Sequence, residues 1–124
     1  MKRLIFLLTF FLMIMISSCS SKITKDPRKD AVNMVSELVE CARNNDIDKI
    51  EVVLTPYYDY YSKADLADRV AFLKSIDFDN IKEEDREIWQ NLVANNNFQN
   101  IPIVIRLDIM ERDTKKEARE LGVW

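Results

Sequence analysis

The stretch Ile101-Pro102-Ile103-Val104-Ile105-Arg106-Leu107-Asp108-Ile109-Met110 decides the fold. Its apolar residues at 101, 103, 105, 107 and 109 alternate strictly, the period of a strand with one buried face. Carried on toward the C-terminus, the same segment puts Ile103, Leu107, Met110, Thr114, Ala118 and Leu121 at spacings of three and four, which is one face of a helix. A strand needs partners, and no other segment combines alternation with hairpin chemistry. Gly122 stands where a helix C-cap belongs, after Lys115, Lys116 and Arg119, whose charge suits the C-terminal end of a helix dipole. The helical reading therefore prevails. An α+β alternative, two opening helices followed by a curved sheet, lacks the strands it needs. The expected fold class is all-α, a small bundle of four to five helices.

The segments upstream agree. Asp26-Pro27 supplies an N-cap and a proline at the first helical position, and Ala31, Val35, Leu38 and Ala42, flanked by Val32 and Val39, repeat at helical spacing. This predicts a first helix from Pro27 to Arg43. Asn44-Asn45-Asp46 reads as a turn with a fresh cap. Ile50, Val53, Leu54, Tyr57, Tyr58 and Tyr61 then hold one face of a second helix, which Pro56 is expected to kink or break. A third helix is expected over Ala64 to Ser75, with Leu66, Val70, Leu73 and Phe72 inward. Asp77-Phe78-Asp79-Asn80 punctuates before Ile81, Ile88, Trp89, Leu92 and Val93 mark a fourth, which Asn95-Asn96-Asn97 ends.

The N-terminus has a different character. Lys2 and Arg3 precede an apolar run from Leu4 to Ile16 broken only by Thr9, too short for a comfortable bilayer span and suited to a signal-peptide core. Ile16-Ser17-Ser18-Cys19 follows and resembles the lipobox of bacterial lipoproteins: a branched apolar residue, two small ones and a cysteine. The resemblance covers residues 1 to about 20 and carries no functional residue beyond Cys19. It implies cleavage before Cys19, lipidation of its sulfur, and a mature domain in the cell envelope held to the membrane by acyl chains, each buried methylene adding about 0.8 kcal/mol. Ser20 after the cysteine resembles the outer-membrane pattern of sorting. The implied division is a signal peptide over 1–18, a lipidated cysteine and tether over 19–25, and a helical domain over 26–124. The six residues Ser20 to Lys25, polar but for Ile23, reach on the order of 15 Å, so the domain should sit close to the headgroups. Lys22, Lys25, Arg28 and Lys29 would lie near anionic lipid, with Asp26 and Asp30 offsetting part of the attraction.

Composition closes off several functions. The 124-residue chain has no histidine, one glycine and two cysteines. Imidazole-based acid–base chemistry and histidine metal ligation are excluded, and phosphate-cradling loops need more glycine than Gly122 alone. The mature part, without Lys2 and Arg3, has a side-chain balance of −5 with both signs spread along the chain. Such a chain offers no basic stripe for nucleic acid. With Cys19 lipidated, Cys41 has no disulfide partner and is expected to be a buried small hydrophobe.

Asn44, Asp46 and Asp48, and likewise Asp77 and Asp79, begin like calcium loops. Lys49 or Lys82 at the sixth position and Thr55 or Ile88 at the twelfth exclude both. Glu83, Glu84, Asp85 and Glu87 read as a solvated helix cap that favours the dipole. No catalytic residue, metal or cofactor is predicted, although a carboxylate pair acting as a hydrolase has 21 acids to draw on. The unusual feature is Tyr57-Tyr58-Asp59-Tyr60-Tyr61. Four tyrosines cover more than one helical face, so Tyr60 at least should be exposed if the others turn inward. The expectation is a contact surface for another envelope protein or, with Trp89 or Trp124, a stacking platform for a small ligand or glycan. The competing expectation is that these rings simply fill a small core around Pro56.

Overall fold

The structure is a computed structural model and describes residues 23–124. The expected signal peptide over 1–18 and the expected lipidation site, Cys19, lie outside the described residues. Six helices follow in order: α1 Pro27–Arg43, α2 Ile47–Tyr61, α3 Leu66–Lys74, α4 Glu83–Val93, α5 Asn96–Gln99 and α6 Pro102–Glu120. There is no strand among the described residues, and the disputed segment is helix from Pro102 onward. The bundle of four to five helices is thus found, with one further single turn, α5, capped by the Asn95 side chain at the Asn97 amide.

The chain ends of the helices follow their sequence signals. Asp26 accepts from the Arg28 amide at 3.1 Å and Pro27 occupies the first position of α1. At the other end Asn45 adopts φ 50°, and the amides of Asn45 and Asp46 return to the carbonyls of Ala42 and Cys41. This paired closure is a Schellman motif with asparagine in place of glycine. Asp46 then caps α2 by accepting from the Lys49 amide at 3.3 Å, so three residues end one helix and start the next. Gly122 (φ 73°) closes α6 in the same way, its amide bonded to the Arg119 carbonyl and that of Val123 to Ala118.

Pro56 does not break α2, which runs unbroken through it. The missing N–H leaves the Val52 carbonyl without its helical donor, but Val52 lies on the outer face at 67% exposure, where water reaches it.

Helix α1 is the hub. It packs on α2, α3 and α4, while α6 lies across α2 and α3. The core follows from this arrangement: Ala31, Ile50, Tyr57, Tyr61, Phe72 and Ala118 have no exposed surface. Of the four residues expected inward in α3, Phe72 is fully buried, whereas Leu66, Val70 and Leu73 stay partly exposed. The Phe72 ring alone contributes roughly 1.5–3 kcal/mol of apolar burial. Cys41 is buried, as expected, and desolvation holds its thiol pKa above the ordinary value. Leu121, placed by spacing on the inner face of α6, is instead exposed beyond the helix end.

Two polar ties fix the ends of α1. Asp30 is fully buried, and its carboxylate accepts from the Thr24 amide and the Thr24 hydroxyl, both at 2.8 Å, and from the Tyr61 hydroxyl. Ile23 packs against the core beside this clasp. The tether expected over 19–25 is therefore shortened, because Ile23 and Thr24 belong to the folded body. At the far end Arg43 grips Asp85 in two-pronged fashion, Nε to Oδ1 at 2.8 Å and a terminal nitrogen to Oδ2 at 2.6 Å. The guanidinium bond holds the Asp85 carboxyl below the usual carboxylate range. The acidic cap expected to be wholly solvated is so only at Glu83, Glu84 and Glu87; Asp85 is buried and ties α4 to α1.

Candidate functional site

The tyrosine group lies on the last two turns of α2, and the helix divides it. Tyr57 and Tyr61, four residues apart, share the inward face and are completely buried, whereas Tyr58 and Tyr60 flank them half-buried. The Phe72 ring stacks on Tyr61 at 4.0 Å between centroids and lies near-parallel to Tyr57 at 6.3 Å. Each buried phenol keeps a partner. Tyr57 donates to Glu37 at 2.9 Å and Tyr61 to Asp30. Burial first, and these carboxylates second, raise both phenol pKa values well above the usual range. The expected four-tyrosine contact surface is thereby corrected. Tyr57 and Tyr61 are core, and only Tyr58 and Tyr60 present any surface, with Tyr60 set edge-on against Tyr61 at 4.9 Å. Trp124 stands apart from them, its ring covered by the ammonium groups of Lys74 and Lys115.

An apolar groove lies elsewhere among the described residues. A groove of about 250 Å³ runs between α1, α2, the α3–α4 connection and α6. Met34, Leu38 and Leu54 form its floor, Phe78, Trp89 and Phe98 one wall, and Val104 and Leu107 the other. Phe78 stacks on Trp89 at 4.3 Å, and Phe98 meets Trp89 edge-on at 5.7 Å, so this wall is a rigid aromatic panel. The rim carries two acids, Asp108 and Glu111, each paired along α6, to Arg112 and Lys115 respectively, both at 2.9 Å. The interior is left apolar.

Helix α6 explains both the groove and the ambiguity of its sequence. Its first three turns serve three surroundings at once. Ile103 and Met110 enter the core, Val104 and Leu107 line the groove, and Ile105 and Ile109 stay exposed. At about 100° per residue, Ile105 and Ile109 fall on the outer side of α6, separated from Val104 and Leu107 by the Asp108–Arg112 pair. A segment apolar on three sides produces the alternation that imitates a strand. That imitation was the sequence signal for the site, and reasoning from one face at a time missed it.

Chemically the groove suits an apolar or aromatic group. Among the described residues every buried side-chain nitrogen and oxygen has a hydrogen-bond partner, so no buried polar atom is left aimed at a ligand. No group of acidic or cysteine side chains among the described residues has the arrangement of a metal site. No described helix is long and apolar enough to cross a membrane. Comparison with known proteins gave no match: no family model, no curated protein and no solved structure is significantly similar to the chain.

Proposed function

We propose that the protein is a non-enzymatic lipoprotein of the cell envelope, anchored through lipid on Cys19, at the outer membrane by its Ser20, and that its groove receives an apolar segment of another envelope protein. The observation that carries the binding half of this reading is the apolar groove with its aromatic wall, together with the exposed Ile105 and Ile109 on the outer side of the same helix α6. Such an apolar strip on a small domain, rimmed by charge, is the anatomy of a protein contact. An amphipathic helix laid along α6 would bury the strip and reach the aromatic panel with an anchoring side chain.

The test is photo-crosslinking from residue 105 or 107 of the full-length protein in its native membrane, with residue 116 as control. A reproducible, near-stoichiometric adduct from the groove positions and none from 116 is the expected result. No adduct from a folded, membrane-bound protein would remove the reading.

A small apolar ligand is the second reading, favoured by Trp89 in the groove wall. A glycan fits less well, because the groove's polar side chains are two carboxylates already engaged along α6. Titrating acyl or aromatic compounds should then shift Trp89 fluorescence, and an unmoved spectrum across a broad panel argues against this reading.

A further inference from the structure

We infer that the domain is docked on anionic lipid in a single orientation, with the end of the bundle that carries Lys25, Arg28, Lys29 and Lys63 held against the headgroups. The inference rests on the proposed lipid anchor at Cys19 and deepens it. The folded body begins at Ile23, which packs on the core, and at Thr24, which is bonded twice to buried Asp30. Only three residues separate Cys19 from Ile23. Four residue steps span at most about 14 Å even when fully extended, so the bundle has little room to turn over.

The surface around this exit point suits an anionic interface. Lys25, Arg28 and Lys29 are exposed at the start of α1, and Lys63 is exposed in the turn after α2, whose Tyr61 touches Asp30. Lys22 adds a further cation in the sequence. The exposed acids here are Asp26, Asp59 and Asp65; Asp30, which by sequence should also offset the basic charge, is turned inward and buried. Half-buried Tyr58 and Tyr60 flank Tyr61 at this end of α2, and rings with a polar handle suit the headgroup level. The opposite end of α1 exposes Glu40, Asp46, Asp48, Glu83, Glu84 and Glu87 against Lys49, Lys82 and Arg86 around the Arg43–Asp85 pair, a net negative set that an anionic surface repels. Tether length and charge polarity therefore select the same end. Docked this way, Met34 and Leu38 of the groove floor stand about 10 to 17 Å up α1 from Pro27, clear of the headgroups and open sideways.

The test is lysine acylation of the full-length, lipidated protein in vesicles of phosphatidylcholine alone and with phosphatidylglycerol. Lys25, Lys29 and Lys63 should react at least threefold more slowly in the anionic vesicles, with Lys82 and Lys116 unchanged. A paired Arg28→Glu and Lys29→Glu variant should lose the slowing at Lys25 and Lys63 while still floating with the vesicles. Should that variant unfold, the comparison of the two compositions carries the test with the unaltered protein. Equal reactivity in both compositions, or slowing spread equally over Lys82 and Lys116, overturns the orientation. Failure to float, or a Cys19 without lipid by mass spectrometry, overturns the anchor itself and the orientation with it.

Discussion

Two aromatic clusters of similar make-up have opposite fates in this bundle. Tyr57, Tyr61 and Phe72 are sealed on every side by α1, α2 and α3, and their two hydroxyls are bound by carboxylates. Phe78, Trp89 and Phe98 stack as closely but form the wall of an open groove. Ring stacking by itself says nothing about function. What separates the clusters is how completely neighbouring elements close over them: Trp89 and Phe98 are nearly closed in and Phe78 only partly, along the groove that α6 leaves beside them. The first cluster therefore belongs to stability, and the second borders the groove to which the proposed function assigns recognition.

The widest separation between them should appear in Phe72→Ala, which empties the closed cluster and should cost about 3–5 kcal/mol in urea unfolding. Phe78→Ala, at the rim of the open one, should cost about 1–2 kcal/mol. Equal losses would erase the distinction. Asp30→Ala comes next, at about 2–3 kcal/mol, because it strands the Tyr61 hydroxyl and the Thr24 donors; Tyr61→Phe should cost about 1 kcal/mol, since Thr24 still serves the carboxylate.

The pH dependence sharpens the contrast further. An unfolded tyrosine ionises near about pH 10, while the folded phenols hold their protons well above that, so stability is full below about pH 10 and falls as pH rises past it. Tyr61→Phe should flatten this alkaline limb in thermal melts, and substitutions in the groove should leave it alone. Asp85 works in the other direction. Its depressed pKa contributes stability above the unfolded carboxyl range near about 3.9 that is lost as pH falls through the folded value, and Arg43→Ala should reduce that acid loss. The smallest effect on folding belongs to Ile105→Ser, within about 0.5 kcal/mol of the parent, yet it should sharply lower crosslinking to the partner.

How far these features could be read in advance depended on their range. The boundaries of α1, the Asn44–Asp46 connection and the Gly122 closure rest on caps within a few residues, and all were legible. The continuity of α2 through Pro56 was not, because it depends on which face the orphan carbonyl meets. The tyrosines were noticed for the right reason, their excess over one helical face, but their division into core and flank is set by Phe72, a residue on another helix. The groove draws on all six helices and the α3–α4 connection, and has no local signature except the surplus of apolar residues in α6. Asp85 looked like one acid in a run of four, and only the three-dimensional approach of Arg43 distinguishes it.

Cys41 gives the molecule an internal clock. Its sulfur is shut in the core and its thiol pKa is raised, so a thiol reagent has neither access nor thiolate until α1 opens. The labelling rate then equals the intrinsic thiol rate multiplied by the fraction of time that helix spends open. No denaturant is required. With Cys19 lipidated as proposed, the opening free energy of the domain would be timed on the membrane itself, with and without a proposed occupant in the groove beside Leu38.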